Sequence, residues 1–304
     1  MIVVCGEALI DMINNSDGTQ HAAPGGGPFN TARALARLGV PTAFLGHLSS
    51  DAFGRELAGL LDADGASMEY ATVGPEKTTI AVADIDSEGL AEYQFLIHGT
   101  SAPNLTREMI PAEFGAEINA IHLGTLGLVL DPMAETLVGL ADREHGKRLL
   151  MLDPNIRVGL TPDAEYRERL HRVIDESTVV KASDADLAWL YPGLEYEDAA
   201  ERVLDRGVST VVVTLGADGA FGAHGDIRLH VPAPQVNVVD TIGAGDAFGA
   251  ALLAWLHDHE CINPDLRLDA SELRAALVYA CLAAAITCTR AGADPPRKSE
   301  LKLA

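Results

Sequence analysis

The sequence predicts an α/β fold in which a mainly parallel sheet is covered by helices on both faces. Strand-like and helix-like segments alternate from Ile2 to Ala63 and again from Thr106 onward. This alternation is typical of parallel sheets, because the chain returns through a helix before each new parallel strand. Between the two stretches, strands follow one another without helices. The interruption predicts a small second sheet that stands off the main body.

The first alternation contains two strands and two helices. They follow from short apolar runs of strand length and from apolar residues at helical spacing. Gly39 is the expected stop of the first helix, and Asp51 or Ser50 is the expected N-cap of the second. The predicted elements are a strand at Ile2–Cys5, a helix at Phe29–Leu38, a strand at Thr42–Leu45 and a helix at Ala52–Ala63.

The small second sheet is predicted from three strands at Met68–Val73, Thr78–Ile85 and Ala91–Ile97. The segment Asp86–Gly89 is typical of a hairpin turn between two of them. The polar, turn-rich segment Met12–Ala23 is expected to add a strand. We therefore assign residues 12–23 and 68–98 to the small sheet, and residues 1–11, 24–67 and 99–304 to the α/β body.

The second alternation supplies the rest of the body. Its predicted strands are Ala120–Leu123, Arg148–Leu152, Val179–Lys181 and Thr210–Thr214, followed by a hairpin of Ala220–Ala223 and Ile227–Val231. Its predicted helices are Pro132–His145, Ala164–Asp175, Asp184–Leu190, Tyr196–Arg206, Ala244–Leu256 and Ser271–Thr287. These elements complete one doubly covered sheet.

Composition limits the classes of function. The 304 residues carry 22 Lys and Arg against 44 Asp and Glu, a net charge of −22. This charge argues against a nucleic-acid binder that works through phosphate contacts and against binding to an anionic membrane surface. The apolar start MIVVCGEALIDM lacks a basic segment and a cleavage site, and no membrane span is expected. The four cysteines form no CxxC pair. We expect free thiols and a cytoplasmic protein.

The loop Asp240–Phe248 is the sharpest chemical signal in the sequence. It follows an apolar segment and opens a helix, and its Gly243 and Gly245 let a ligand approach the backbone. The free amides and the dipole of a helix start favour an anion such as a phosphoryl group. Asp246 would repel a resting phosphate, but it could accept the proton of a hydroxyl that attacks that phosphate.

Two alternative interpretations of this loop remain. The spacing of Gly243, Gly245 and Gly249 imitates a dinucleotide-binding fingerprint, which would indicate an oxidoreductase. That fingerprint belongs after the first strand, with an acidic residue at the end of the next strand, and here it lies near the C-terminus. The loop could also be a tight turn between a strand and a helix, with Asp246 as a first-turn charge.

Further candidate residues follow other predicted strands, where open α/β sheets bind ligands. The segment Gly25–Asn30 offers backbone amides and one carboxamide at a helix start, and no Walker-type GxxxxGK[ST] loop occurs. Asp11 is well placed for a polyol, whereas Glu7 alone is typical of a surface charge.

Arg157 offers a bidentate donor to phosphate. Thr214, Gly216 and Gly219 leave the backbone open to a nucleotide, and Ser183, Asp184 and Asp186 could hold water around magnesium or could merely cap a helix.

Taken in order, these motifs resemble the ribokinase-like sugar kinases, a family also named for phosphofructokinase B. Residues 25–54 are similar to the family's first signature and Asp240–Phe248 to its second, DTxGAGD. The resemblance covers essentially the whole chain. It implies a Rossmann-like three-layer α/β/α body with a β-sheet lid. It also implies transfer of the γ-phosphate of ATP to a sugar hydroxyl, with magnesium.

The resemblance also implies a role for each motif. Asp246 would be the catalytic base beside an anion hole formed by Gly243, Ala244 and Gly245. Sugar contacts are implied at Asp11, Gly26, Gly27 and Asn30, and nucleotide contacts at Lys181, Thr214, Gly216, Gly219, Gly243 and Gly245. Ser183, Asp184 and Asp186 stand where the family often has an Asn–Glu–x–Glu motif that holds metal-bound water, and they depart from it. A monovalent cation such as K⁺ is implied near Asp240.

Within the family, the sequence is most similar to bacterial fructokinases, through GEALIDMI, MLDPNIR and TRAGADPP among other segments. The 2-keto-3-deoxygluconate kinases usually carry an Arg and a Tyr on the lid, but residues 93–98 read YQFLIH without an Arg. A neutral hexose, fructose first, is therefore expected. The alternatives are a 2-keto-3-deoxygluconate kinase, a ribokinase or a non-catalytic sugar sensor. The exposed edge of the lid sheet favours a homodimer.

Overall fold

The computed structural model describes residues 1–14, 19–85 and 91–301. Its strands are β1 (Ile2–Cys5), β2 (Leu9–Asn14), β3 (Gln20–Gly25), β4 (Thr42–Leu45), β5 (His47–Ser49), β6 (Thr72–Gly74), β7 (Ile80–Ile85), β8 (Ala91–Leu96), β9 (Ala120–Gly124), β10 (Leu149–Asp153), β11 (Val179–Ser183), β12 (Thr210–Thr214), β13 (Ala220–His224) and β14 (Ile227–Val231). Its α-helices are α1 (Gly27–Arg37), α2 (Ala52–Asp64), α3 (Met133–Glu144), α4 (Asp163–Glu176), α5 (Asp184–Leu190), α6 (Tyr196–Leu204), α7 (Ala244–Asp258) and α8 (Ala270–Cys288).

The central sheet has eight strands in the order β14-β13-β12-β11-β10-β9-β1-β4. Strands β4, β1, β9, β10, β11 and β12 run parallel, and β13 and β14 complete the sheet as an antiparallel hairpin. The carboxyl ends of the six parallel strands therefore lie along one edge of the sheet, where the loops that follow these strands meet. The predicted α/β fold is confirmed.

Helices cover both faces of this sheet, as strands that are buried on both faces require. In β1, Ile2 and Val4 belong to a core shared with α1, α7 and α8, whereas Val3 and Cys5 belong to a second core shared with α3 and α4. All four residues are fully buried. The structure agrees closely with the first predicted alternation. Asp51 caps α2 by accepting a hydrogen bond from the Gly54 amide. Gly39, with φ +80°, follows the end of α1.

A second sheet of four strands, in the order β3-β2-β7-β8, forms the lid. Its strands differ from the prediction in two ways. The segment expected to add one strand forms β2 and β3, and β2 begins at Leu9 because Ile10 already pairs with Ile80 of β7. Asp11 therefore lies on a lid strand. The predicted turn at Asp86–Gly89 falls outside the described residues.

In place of the strand predicted at Met68–Val73, the structure has a shorter strand, and this strand belongs to a different sheet. The shorter strand, β6, pairs in parallel with β5, a strand that the sequence analysis missed. This two-stranded sheet is separate from the four strands of the lid. The prediction that this segment joins the lid sheet is therefore wrong, whereas the division of the chain into a body and a lid stays a prediction.

Helix α8 is long and apolar. Within the part of the chain that the structure describes, it is the one helix with the length and composition to cross a membrane, with 19 residues and a mean hydropathy of 1.4. It packs against α7, β13 and β14. Most of its buried residues belong to the same apolar core as those of α1 and α7, so packing within the fold accounts for its apolar character.

Candidate active site

A cavity of about 560 Å³ lies between the lid and the carboxyl-end edge of the central sheet. The body contributes residues at or close to the carboxyl ends of β1, β9, β10, β11 and β12, and the lid contributes residues of β2 and β8. The cavity is lined by Glu7, Leu9, Asp11, Gly26, Gly27, Asn30, Phe95, Thr125, Leu126, Asn155, Arg157, Lys181, Ser183, Asp186, Thr214, Thr241, Ile242, Gly243, Gly245 and Asp246. Most of the predicted site residues thus meet in one place.

Asp246 lies in the first turn of α7 with only 8% of its surface exposed. Its Oδ2 atom accepts a hydrogen bond of 2.9 Å from the Asn30 carboxamide, so the two predicted loops meet across 216 residues of sequence. Its other carboxylate oxygen points toward residues 25–30, the glycine loop, because a Cβ atom on Gly27 would lie 3.3 Å from Oδ1. Glycine at this position keeps space open beside a carboxylate oxygen.

The carboxyl group of Asp246 titrates near neutral pH. Burial raises its pKa from the ordinary value of 3.8 to about 6, and the hydrogen bond from Asn30 opposes this rise. The charge of Asp153 raises the pKa further, whereas Lys181 and Arg157 lower it. A carboxylate with a pKa in this range is well suited to accept a proton from a hydroxyl group at neutral pH.

The helix start beside Asp246 has the geometry of an anion site. Gly243 precedes α7 with φ +75°, and a Cβ atom there would lie 2.7 Å from the Ala293 Cβ, so a side chain is excluded. The Ala244 amide donates to the Thr241 carbonyl at 3.2 Å. The next amide, that of Gly245, belongs to the first turn, where an α-helix offers no carbonyl partner. It is free to bind an anion.

Lys181 adds a positive charge to this loop. A Cβ atom on Gly245 would lie 3.2 Å from the Lys181 Nζ atom. The ammonium group donates a 2.7 Å hydrogen bond to Asp153 Oδ2, and the side chains of both residues are almost fully buried. Burial alone would lower the pKa of Lys181, but the charge of Asp153 raises it overall. Lys181 is therefore a fixed cation next to the predicted anion hole.

The structure corrects the interpretation of Glu7 as a surface charge. Its side chain is 2% exposed and lines the cavity. Burial raises its pKa from 4.5 to about 7, against the hydrogen bond from Thr125. Its hydrogen-bond partners lie 20, 118 and 120 residues away in sequence, so local sequence gives no sign of this burial.

Three carboxyl groups of the cavity have raised pKa values. Burial raises the pKa of Asp11 to about 6. Burial also raises the pKa values of Asp246, to about 6, and of Glu7, to about 7. A carboxyl group whose pKa is higher in the folded state takes up a proton on folding. Each therefore contributes stability below its ordinary pKa of about 4, and this contribution is lost as the pH rises through 6 to 7. Above this pH range the site is charged at some cost in stability.

The predicted metal-water residues lie at the start of α5. Asp186 accepts hydrogen bonds from the Ser183 amide and hydroxyl and from the Ile156 amide, between 2.7 and 2.8 Å. Asp184 is exposed, and its carboxylate accepts a hydrogen bond from the Ala185 amide outside the cavity lining. Within the described ranges no group of three His, Cys, Asp or Glu side chains could hold a metal ion directly. The role of these three residues stays a prediction.

Two more predicted residues lie at the rim of the site. The exposed side chain of Arg157 reaches the cavity and donates to the Asn155 side chain at 2.8 Å. Asp240 accepts hydrogen bonds from the Ile242 amide at 3.0 Å and the Gly292 amide at 2.8 Å. Asp240 thus ties the loop 291–293 to the loop that carries the helix start. Neither arrangement tests the predicted phosphate or cation contact.

A second, largely apolar cavity of about 350 Å³ adjoins the first. Thr214, Thr241 and Gly245 line both cavities, so the two are continuous at the helix start. Gly216 and Gly219 lie in its wall together with small residues of α8. An apolar slot that opens onto an anion site suits a flat base joined to phosphates. Four of the residues predicted for the nucleotide, Thr214, Gly216, Gly219 and Gly245, line this cavity, whereas Lys181 and Gly243 line the first one.

Sequence reasoning missed Thr125 and Phe95. Thr125 directly follows β9 in the segment GTLGL, and Phe95 reaches the cavity from the lid strand β8. The position of Thr125 at the carboxyl end of a predicted parallel strand could have identified it. Asp153 begins the segment that carries Arg157 and was recognised at a strand's carboxyl end, but its pairing with Lys181 was not predicted.

Comparisons with known proteins agree with this geometry. The model of the pfkB family of carbohydrate kinases matches residues 1–300. The chain is 40% identical over 261 residues to a fructokinase of Rhizobium leguminosarum bv. trifolii, covering 84% of this chain and 79% of the relative.

Two solved structures are similar over nearly the whole chain. A fructokinase of Xylella fastidiosa with bound ATP has a TM-score of 0.91 at 25% identity, and the match covers 99% of this chain and 96% of the other. A fructokinase of Vibrio cholerae O395 bound to fructose, ADP and calcium has a TM-score of 0.84 at 26% identity, covering 96% and 94%. A double mutant of the same enzyme binds fructose, ADP and potassium.

Proposed function

Because the chain belongs to the pfkB family of carbohydrate kinases, we propose that it transfers the γ-phosphoryl group of ATP to a hydroxyl group of fructose. It is an ATP-dependent sugar kinase, and fructose is the substrate that its relatives support best. The observation that carries the proposal is the position of Asp246. One of its oxygens is held by Asn30 on the glycine loop, and the other faces the space beside Gly27.

The geometry supports an in-line transfer with the sugar and the nucleotide on opposite sides of Asp246. The sugar lies against Asp11, Gly27 and Asn30, with one hydroxyl directed at Asp246. The nucleotide base lies in the apolar cavity, and its γ-phosphate lies at the start of α7. Asp246 accepts the hydroxyl proton as the sugar oxygen attacks the γ-phosphorus, and the bond from this phosphorus to the bridging oxygen breaks, so that ADP leaves. The Gly245 amide and Lys181 stabilise the charge on the transferring group.

We further propose that the metal ion is Mg²⁺ and that a K⁺ ion lies near Asp240. Magnesium keeps several water ligands and is usually held by few carboxylates together with the phosphates of the substrate. The residues present fit this mode of coordination. Both carboxylate oxygens of Asp186 accept hydrogen bonds from backbone amides, so Asp186 could hold a metal ion only through water. When bound, magnesium would neutralise charge on the phosphates. The K⁺ site is supported by the potassium-bound Vibrio cholerae structure.

A neutral sugar is favoured over a sugar acid by the charges of the cavity. Glu7, Asp11, Asp186 and Asp246 line it with carboxyl groups, and Phe95 reaches it from the lid. The two cations of the lining both belong to the body, where Lys181 is paired with Asp153 and Arg157 donates to Asn155. On the lid, residues 94–98 carry no Lys or Arg that could meet a substrate carboxylate. These features support fructose over 2-keto-3-deoxygluconate.

The test of this proposal is ADP release with MgATP and potassium on fructose, ribose, 2-keto-3-deoxygluconate and adenosine. We expect the highest kcat/KM with fructose. A preference for another sugar would keep the kinase but overturn the argument from the lid. Activity on none of these compounds would contradict the proposed substrate class.

The pH dependence of the reaction follows from the pKa of Asp246. Because the base must be ionised, we expect kcat/KM to fall below pH about 6, by roughly tenfold per pH unit. Replacing Asn30 by Ala removes a hydrogen bond that stabilises the charged form, so the midpoint should move to higher pH. The measurement is kcat/KM against pH for both proteins. A midpoint that moves down or stays in place in N30A would contradict the assignment.

We also propose a homodimer through the lid. Strands β3 and β8 form the two edges of the lid sheet, and Leu96 of β8 is 48% exposed. An exposed strand edge with an apolar side chain is a favourable surface for pairing with a second chain. A mass of one chain in light scattering would contradict this proposal. The cytoplasmic location stays a prediction.

A further inference from the structure

We propose that Glu7 is a positioning residue of the sugar site, where its buried carboxylate fixes the glycine loop against the turn at Thr125–Gly127. The inference rests on the proposed function above, because it assigns the glycine loop to the sugar. It concerns a residue that lines the first cavity but not the second, apolar one.

Three hydrogen bonds converge on this side chain from two distant segments. Oε1 accepts from the Gly27 amide at 3.2 Å and also from the Thr125 hydroxyl in a short hydrogen bond. Oε2 accepts from the Gly127 amide at 3.0 Å. Glu7 itself follows β1, so one carboxylate joins the central strand, the start of α1 and the segment after β9. Its burial removes competition from water.

The segment after β9 is strained and needs such a partner. Thr125 has φ +54°, a left-handed conformation that is unfavourable for a β-branched residue. Its methyl group lies against the glycine loop, because a Cβ atom on Gly27 would be 2.5 Å from Thr125 Cγ2. Any relaxation of Thr125 therefore changes the space beside Gly27. That space is the one that Asp246 Oδ1 faces.

A carboxylate suits this position better than any other side chain of its size. All three partners are donors, and only an ionised carboxyl group accepts through both of its oxygens without donating. A carboxamide would turn its NH₂ group toward either the Gly27 amide or the Gly127 amide. The Thr125 hydroxyl could rotate to adapt, but a backbone N–H could not. One buried backbone donor would thus lose its partner.

The first test is a comparison of Michaelis constants in Glu7→Gln. We expect the KM for the sugar to rise by roughly tenfold or more, the size expected when a buried donor loses its acceptor, while the KM for ATP stays within about twofold. The matched control is Glu144→Gln. Glu144 is also 2% exposed, but it pairs with Arg143 and Arg148 outside the cavity, so neither KM should change.

The second test does not depend on activity. Hydrogen exchange measured by mass spectrometry should show faster exchange, by about tenfold or more, in peptides that contain Gly27 and Gly127 in E7Q but not in E144Q. Wild-type exchange in both peptides would overturn the proposal, as would equal rises in the KM for sugar and for ATP. If the wild-type protein phosphorylated no sugar, the proposed function would fail, and hydrogen exchange would still decide the role of Glu7.

Discussion

Replacing Asp246 by Asn is expected to lower kcat by about 100-fold or more, the usual size of a general-base effect, while ATP still binds. The amide has the same shape and can still accept the hydrogen bond from Asn30, but it cannot take up a proton. The position of Asp246 leaves space for a substrate hydroxyl between its carboxylate and the start of α7. The loss should therefore appear in kcat, with little change in the KM for ATP.

The matched control for this variant is Asp142→Asn. Asp142 is an exposed carboxylate that pairs with Arg172 on the surface, so its loss should leave kcat unchanged within error. Thermal unfolding of D246N should show that the protein is folded. A decrease of kcat of less than tenfold would contradict the assignment of Asp246 as the base.

Replacing Lys181 by Met is expected to have the largest effect on stability. The variant leaves the Asp153 carboxylate buried without its partner, and removing one member of a buried ion pair typically costs about 3–5 kcal/mol. It also removes the positive charge beside Gly245, so kcat should fall as well. The measurements are the free energy of unfolding in denaturant and kcat of the folded fraction.

A double variant separates the two effects of Lys181. In K181M with Asp153→Leu, both members of the ion pair are replaced by apolar side chains, so much of the lost stability should return. The activity should stay low, because the cation beside the helix start is still missing. A K181M protein as stable as the wild type would contradict the role of the buried ion pair. Full activity in the double variant would contradict the role of Lys181 at the anion site.

The fold could be predicted from sequence because most of its elements are determined locally. The boundaries of β1, β4, β12 and α5 agree with the apolar runs and caps that predicted them. The prediction failed where a strand depends on its partner. Segment β6 pairs with β5 rather than with the lid, and a three-residue strand leaves little pattern in the sequence.

The candidate site could be predicted as separate loops but not as a network. Asn30 and Asp246 were each identified from a glycine-rich helix start, and the rule for parallel strands predicted that such loops meet. Their hydrogen bond could not be predicted, because it depends on how α1 and α7 pack. Glu7 was misinterpreted for the same reason, since its burial depends on residues that follow β9.

The most direct measurement follows the phosphoryl group itself. The protein is incubated with fructose and with ATP radiolabelled at its γ-phosphate, and the products are separated. We predict that the label appears in fructose phosphate in the wild-type protein, in amounts equal to the ADP formed, and that D246N forms this product far more slowly. Label found only in inorganic phosphate, or none released when fructose is present, would contradict transfer to the sugar at this site.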